Sequence, residues 1–142
     1  MVLPGAAPGT FRVNRYTLQE RAGAPFIEGV RSYSLSASNC SSVPGYSGTS
    51  ECAAGSVQET WLRNDLAANT KPCTIAYWHH PLYNIGQEGP TTRMQDIWTL
   101  LMNHGVHMVI NGHDHTYQRW APMDANGNLT SSGITELVAG TG

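Results

Sequence analysis

An α/β fold is predicted, and three stretches of the 142-residue sequence predict it. CTIAYW (Cys73 to Trp78) and VHMVIN (Val106 to Asn111) are short apolar runs of strand length. Between them, Met94, Ile97, Trp98 and Leu101 fall at i, i+3, i+4 and i+7, the spacing of one buried helix face. A strand–helix–strand unit of this length is as a rule parallel and right-handed. The loops after the two strands then leave the same edge of the sheet, beyond the strands' carboxyl ends, where open α/β sheets place ligands.

The remaining elements follow along the chain. FRVNRYTL (Phe11 to Leu18) alternates in part and reads as a strand; VRSYSLSA (Val30 to Ala37) alternates more clearly. A Ser/Gly/Pro-rich loop runs from Ser38 to Gly55. Ser56 and Glu59 fit a capping box that opens a helix to about Asn69, with Trp61, Leu62 and Leu66 as its apolar stripe. After CTIAYW comes the loop HHPLYNIGQEGP. The second helix is expected from Thr92 to His104, opened by a Thr92–Gln95 capping box and stopped by Gly105. After VHMVIN, Asp124-Ala-Asn-Gly127 marks a turn and ITELVAG (Ile134 to Gly140) a third strand. There is no internal repeat.

Composition narrows the function classes. The length suits one domain with a real core and is short for two. A net charge of −2 gives no electrostatic case for nucleic acid or an anionic membrane surface. No apolar run approaches the roughly 18 to 20 residues of a membrane span. The opening MVLPGAAPGTFRV lacks the charged start and long apolar stretch of a signal peptide. Cys40 and Cys52 flank SSVPGYSGTSE, which reads either as a disulfide-closed surface loop in an oxidising compartment or as a loop between free thiols. Cys73 stands apart, and no C-x-x-C points to a zinc site of cysteines.

The histidines carry the chemistry. His79 and His80 follow the first apolar strand, and His113 and His115, behind Gly112, follow the second. An isolated H-x-H is more often a pair of ordinary loop histidines. Here the topology brings both pairs to one sheet edge, and clustered imidazoles suit zinc, iron or manganese. On an extended segment His113 and His115 would point the same way and reach one metal or two adjacent ones. His104 and His107 flank Gly105 and read as surface or capping residues, His104 suiting the negative end of a helix.

Trp78-His79-His80-Pro81 with Gly112-His113-Asp114-His115 resembles the C-terminal half of a calcineurin-like metallophosphoesterase. The closer likeness is to the secreted bacterial branch related to purple acid phosphatases, through WLRNDLAANTKPCTIAYWHHPLY, GVHMVINGHDHTYQRWAP and GITELVAGTG. It covers 56–142 well, 30–55 loosely, and what precedes them slightly; residues 1–55 are the weakly matching, loop-rich part. The resemblance implies half of an αββα sandwich, with mixed sheets flanked by helices. It implies a centre of two divalent or trivalent ions (iron, zinc or manganese) and phosphate esters as substrates. It also implies an extracytoplasmic setting. Carried over by position, His79 and His113 hold one metal and His115 the other. His80 stands at a position that varies in the family and is expected to be a loop residue. Tyr117 and Arg119 are expected to support the loop by packing and hydrogen bonding. If the segment is extended, Asp114 points away from its neighbours, and it is not expected to be a ligand.

The departures are as informative. The family pattern also has a D-x-H, a G-D whose aspartate bridges the metals, and a G-N-H-[DE]. This sequence has no D-x-H and no G-D, and its Gly127-Asn128 continues into Leu129. The remaining ligands are expected from residues outside this sequence, in cis or from another chain. Alone, the three histidines are expected to hold at most one metal, weakly. The isolated chain is expected to be marginally stable, with an exposed sheet edge and little phosphoesterase activity. The competing reading is a catalytically inactive metal-binding or partner-binding fragment. A cupin-like or amidohydrolase-like site would need further ligands, and after His115 only Asp124 and Glu136 remain.

Overall fold

The protein is represented by a computed structural model that describes residues 30–35 and 52–141. The expected strand at Phe11 to Leu18, most of the Ser38 to Gly55 loop, and Cys40 lie outside the described residues. The elements in chain order are β1 (Val30–Ser34), α1 (Val57–Ala67), β2 (Cys73–Trp78), a 3-10 turn (Thr92–Met94), α2 (Gln95–Asn103), β3 (Met108–Asn111), β4 (Tyr117–Arg119) and β5 (Thr135–Ala139). They form one mixed sheet in the order β1-β2-β3-β5-β4. The first four neighbours are parallel and β4 closes one edge antiparallel to β5.

Alternation along the strands defines the covered face. Thr74, Ala76 and Trp78 of β2, Val109 and Asn111 of β3, and Glu136 and Val138 of β5 are buried. Their neighbours Ile75, Tyr77, Met108, Ile110 and Leu137 are half-buried, so the opposite face is also largely apolar. Leu62 and Leu66 of α1 join Ile97, Trp98 and Leu101 of α2 in one core with Tyr33, Ala76, Trp78 and Val109. The α2 stripe read from the sequence is fully covered: Met94, Ile97, Trp98 and Leu101 are all 0% exposed. Trp98 also donates its indole N–H to the Met123 carbonyl at 3.2 Å, which satisfies its one polar atom in the core.

The caps show where local sequence rules hold. Ser56 Oγ accepts from the Glu59 amide at 3.1 Å as expected. The reciprocal half shifts by one residue, because Glu59 takes the Gly55 amide at 3.1 Å while the Ser56 amide is already bonded to Ala53. The second box does not form. Thr91, not Thr92, caps the turn, and Gln95 turns away to donate to the Ala125 carbonyl at 2.9 Å. The tertiary bond to the 124–127 turn outcompetes the local cap. Gly105 ends α2 as expected: at φ 69° its amide bonds to Met102, and the Val106 amide reaches Leu101. This is a Schellman pairing that only a left-handed residue closes easily.

Strand β4 was not expected. Three residues in an exposed–intermediate–exposed pattern are too short to stand out from the loop around them. Cys52 is buried and disulfide-bonded, whereas Cys73 is a free thiol. Among the described residues no helix is long and apolar enough to cross a membrane.

Candidate metal centre at the ends of β2 and β3

The sheet register builds the site. Trp78 pairs with Asn111 as the last register pair of β2 and β3, so His79 and Gly112 leave the sheet side by side. The Asn111 side-chain amide donates to the Trp78 carbonyl at 3.0 Å and the Gly112 amide to the His79 carbonyl at 3.1 Å. Both bonds continue the pairing past the strand ends. His79 Nε2 then lies 3.2 Å from His113 Nδ1 although the residues are 34 apart in sequence.

The backbone aims His113. The Asp114 amide bonds to the Gly112 carbonyl at 2.9 Å, closing a three-residue turn around His113 at φ 66°. A positive φ is rare outside glycine and carries strain held by the surrounding structure. A second such turn follows, from the Thr116 amide to the Asp114 carbonyl at 2.8 Å. The segment is therefore not extended, and the expectation that His113 and His115 share a direction fails. His115 is exposed and stands apart from the cluster.

The third member is His80. Nitrogens of His79, His80 and His113 lie within 4.8 Å of one another. The His80 and His113 ring centroids are 4.3 Å apart. His80 was expected to be a loop residue; the structure turns its ring into the cluster. Burial, then the positive potential of His113, His79 and Arg93, lowers the His80 pKa. Its neutral, ligand-competent form is therefore favoured. Its Nδ1 is buried with no hydrogen-bond partner.

These residues fit a metal ion. A tetrahedral zinc with Zn–N bonds of 2.0–2.1 Å holds its ligand nitrogens about 3.3 Å apart. The 3.2 Å His79–His113 separation meets that spacing, as it also meets an N–H···N hydrogen bond. The buried His80 Nδ1 without a hydrogen-bond partner is the observation that favours an ion. Glu88 lies 3.7 Å from His113 Nε2 and brings one carboxylate to the rim. Beside the cluster, His80, Pro81, Glu88, Thr91, Arg93 and His113 border a cavity of about 230 Å³. Arg93 brings a cation to its border.

Loop 79–91 is fixed from two sides. Asp114 is buried, and it accepts the Asn84 side-chain amide and the Glu88 backbone amide, both at 3.0 Å. These bonds, Asn84 first, hold its carboxyl below the usual range. Gly86 and Gly140 make room for it: a Cβ at Gly86 would sit 2.0 Å from Asp114 Oδ2, and one at Gly140 1.9 Å from the Asp114 carbonyl oxygen. From β5, Glu136 receives the Leu82 and Tyr83 amides, each at 2.9 Å.

Support from Tyr117 and Arg119 is not what the structure shows. Both side chains lie on the outer face of β4 and are exposed, Tyr117 to 66%. The inward residue between them does the work. Gln118 donates to Asn84 Oδ1 at 2.6 Å and Thr116 Oγ1 at 2.8 Å, and accepts the Ile85 amide at 3.1 Å. Period-two alternation would have singled out Gln118 had the strand been recognised. Glu136 also escaped the sequence reading, where it counted only as a distant spare ligand. A lone acidic residue in an apolar strand, ITELVAG, was the available signal.

Comparisons with known proteins identify the family and the fold. The family model described as calcineurin-like phosphoesterase matches residues 11–117. It reaches further toward the start than the expected likeness and stops before GITELVAGTG. An acid phosphatase of Aspergillus ficuum is 32% identical over 91 residues, covering 56% of this chain and 15% of that protein. The mouse (Mus musculus) tartrate-resistant acid phosphatase type 5 is 34% identical over 62 residues, covering 43% of this chain and 19% of that one. The purple acid phosphatase PPD1 from yellow lupin seeds superposes with a TM-score of 0.62 at 20% identity, over 82% of this chain and 22% of that chain. GAP50, the anchor in the inner membrane complex of Plasmodium, superposes with a TM-score of 0.54 at 16% identity, over 78% of this chain and 32% of its own. The two superpositions establish a shared fold, and the chain spans less than a fifth of either curated relative.

Proposed function

The chain belongs to the calcineurin-like phosphoesterase family, and from that premise we propose that it supplies the histidine side of a two-metal centre that hydrolyses phosphate esters. The observation that supports this most is the convergence of His79, His80 and His113, with His80 Nδ1 left without a partner. His79 and His113 hold one ion, His80 completes its shell or orients a ligand, and exposed His115 faces the second. The aspartate and asparagine ligands come from residues outside this sequence, packed on the largely apolar rear face of the sheet as the second layer of an αββα sandwich. When bound, the metal pair supplies a hydroxide near neutral pH and neutralises phosphoryl charge.

This chain's own residues do the rest. The left-handed turn at His113 and the register-locked His79 present imidazole nitrogens that need no rearrangement on binding. Arg93 and Thr91 border the cavity where the ester's leaving group fits. The disulfide at Cys52 supports an oxidising, extracytoplasmic setting; Cys40, which lies outside the described residues, is the partner the sequence proposes. The ions are iron, zinc or manganese, which this donor set accepts alike.

The test is hydrolysis of an aryl phosphate by the chain alone and by the chain joined to a segment bearing D-x-H, G-D and G-N-H-[DE]. Metal-dependent turnover that requires both parts and is abolished by His113→Ala is the expected result. Turnover indifferent to His79→Ala and His113→Ala sinks the proposal. A second reading, a non-catalytic partner-binding domain, draws on the shared fold with GAP50, the anchor in the inner membrane complex of Plasmodium. No turnover in the joined protein, with zinc still bound, would favour it.

A further inference from the structure

The covered face of the sheet contains one carboxylate that no cation meets. Glu136 is 0% exposed, in the middle of β5, where Val138 and the facing Val109 of β3 are equally buried. Among the described residues it has no ion-pair partner. Burying an ionised carboxylate is costly unless strong hydrogen bonds replace its water. Glu136 finds two: Oε1 accepts the Leu82 amide and Oε2 the Tyr83 amide, each at 2.9 Å. These consecutive residues follow Pro81, directly behind His79 and His80. Two neighbouring amides that point one way find no partner in the loop's own backbone, and the carboxylate meets them with one oxygen each.

We propose that Glu136 is a positioning residue for the metal centre: by clamping the Leu82 and Tyr83 amides it fixes the path of the His79–His80–Pro81 segment against β3. The inference rests on His79 and His80 belonging to a metal site as read above. The geometry explains why the residue is acidic. Glutamine has the same length but one acceptor oxygen, so its NH2 would face one of the two amides, donor against donor. Aspartate keeps both oxygens but is one methylene shorter and reaches only one amide. An apolar residue would suit the strand better and leave both amides buried and unpaired. Burial raises its carboxyl to about 7 against the pull of those same two amides, so it is ionised above neutral pH. Asp114 clamps the far end of the same loop, through Asn84 and Glu88. The histidine loop is thus held between two buried carboxylates, one from each neighbouring segment.

The experiment compares the 142-residue chain with Glu136→Gln, Glu136→Asp and, as a stability control remote from the loop, Asp65→Asn, which weakens the Arg31–Asp65 ion pair. Two quantities are read at mildly alkaline pH: amide hydrogen exchange at Leu82 and Tyr83, and zinc affinity by competition with a chelating dye. The proposal expects both amides to be protected about 100-fold or more in the parent chain. It expects both Glu136 variants to lose protection there and to bind zinc about 10-fold more weakly. Asp65→Asn should lower the melting temperature and change neither. Parent amides that exchange at free-peptide rates, or Glu136 variants with unchanged protection or unchanged zinc affinity, overturn it. If the variants do not fold, the parent's protection decides. If the parent binds no zinc, the metal reading of the histidines fails, and the exchange data still decide whether Glu136 holds the loop.

Discussion

His79 Nε2 and His113 Nδ1 lie 3.2 Å apart, brought together from the ends of two adjacent parallel strands. Replacing either with alanine removes one candidate ligand from the cluster of His79, His80 and His113. Such a loss should exceed the effect of disturbing an outer contact, so zinc affinity is expected to fall about 100-fold or more for His79→Ala and His113→Ala. His115→Ala should leave the zinc affinity of this chain within about 2-fold, since its ring lies outside the cluster. Isothermal titration settles the order; a large loss for His115→Ala and none for His113→Ala would contradict the assignment.

Gly140 should tolerate no side chain. A Cβ there would lie 1.9 Å from the Asp114 carbonyl oxygen, a backbone atom tied into the turns that aim His113. Gly140→Ala is expected to cost about 3 kcal/mol and to weaken metal binding with it. Chemical denaturation measures the first and zinc titration the second. A variant as stable as the parent would show that the turn can shift freely.

Gly105 provides the contrast. At φ 69° it ends α2, yet a Cβ would meet nothing within 4 Å. Gly105→Ala therefore carries only the backbone cost of the left-handed conformation, about 1–2 kcal/mol, and should leave zinc affinity unchanged. A Gly105→Asn chain should lose less, because asparagine visits this conformation more readily. Thermal unfolding of the two variants checks the order.

Glu136 should leave a mark on the pH dependence of stability. Burial raises its carboxyl from 4.5 to about 7 in the folded chain. Between those values the folded state binds more protons than the unfolded one, so this group's contribution to stability falls as pH rises. The fall amounts to about 3 kcal/mol across the window and is complete above neutral pH. The stability difference between the parent and Glu136→Gln, followed by denaturant unfolding from about pH 4 to about pH 8, should therefore shrink or reverse with rising pH. A difference independent of pH would show that the carboxyl titrates near its ordinary value.

The sequence revealed the parts of the fold that depend on local pattern. Strand β2, the α2 stripe and the Gly105 stop follow from periodicity and conformational preference, and all appear where expected. Tertiary competition set what was missed. Gln95 abandons its cap for the 124–127 turn, and β4 exists only because β5 offers it an edge. At the site, topology alone paired His79 with His113. The separation of His115 depends on two successive three-residue turns at 112–116, which no spacing rule announces, and the inclusion of His80 on how the loop leaves β2. The roles of Gln118 and Glu136 were hidden for the same reason, since a hydrogen-bonded clamp between distant segments has no local signature.

Locking the last pair of β2 and β3 through Asn111 and Gly112 turns the histidine site into a gauge of sheet alignment. A slip of one residue would carry His113 about 3.3 Å along its strand and turn its ring to the opposite face. An ion bridging His79 and His113 therefore binds the correctly aligned chain and ignores misaligned ones. Its binding energy is added to that one state alone, in proportion to the logarithm of ion concentration over Kd. Present during folding, such an ion would favour the aligned molecules over those that can still slip.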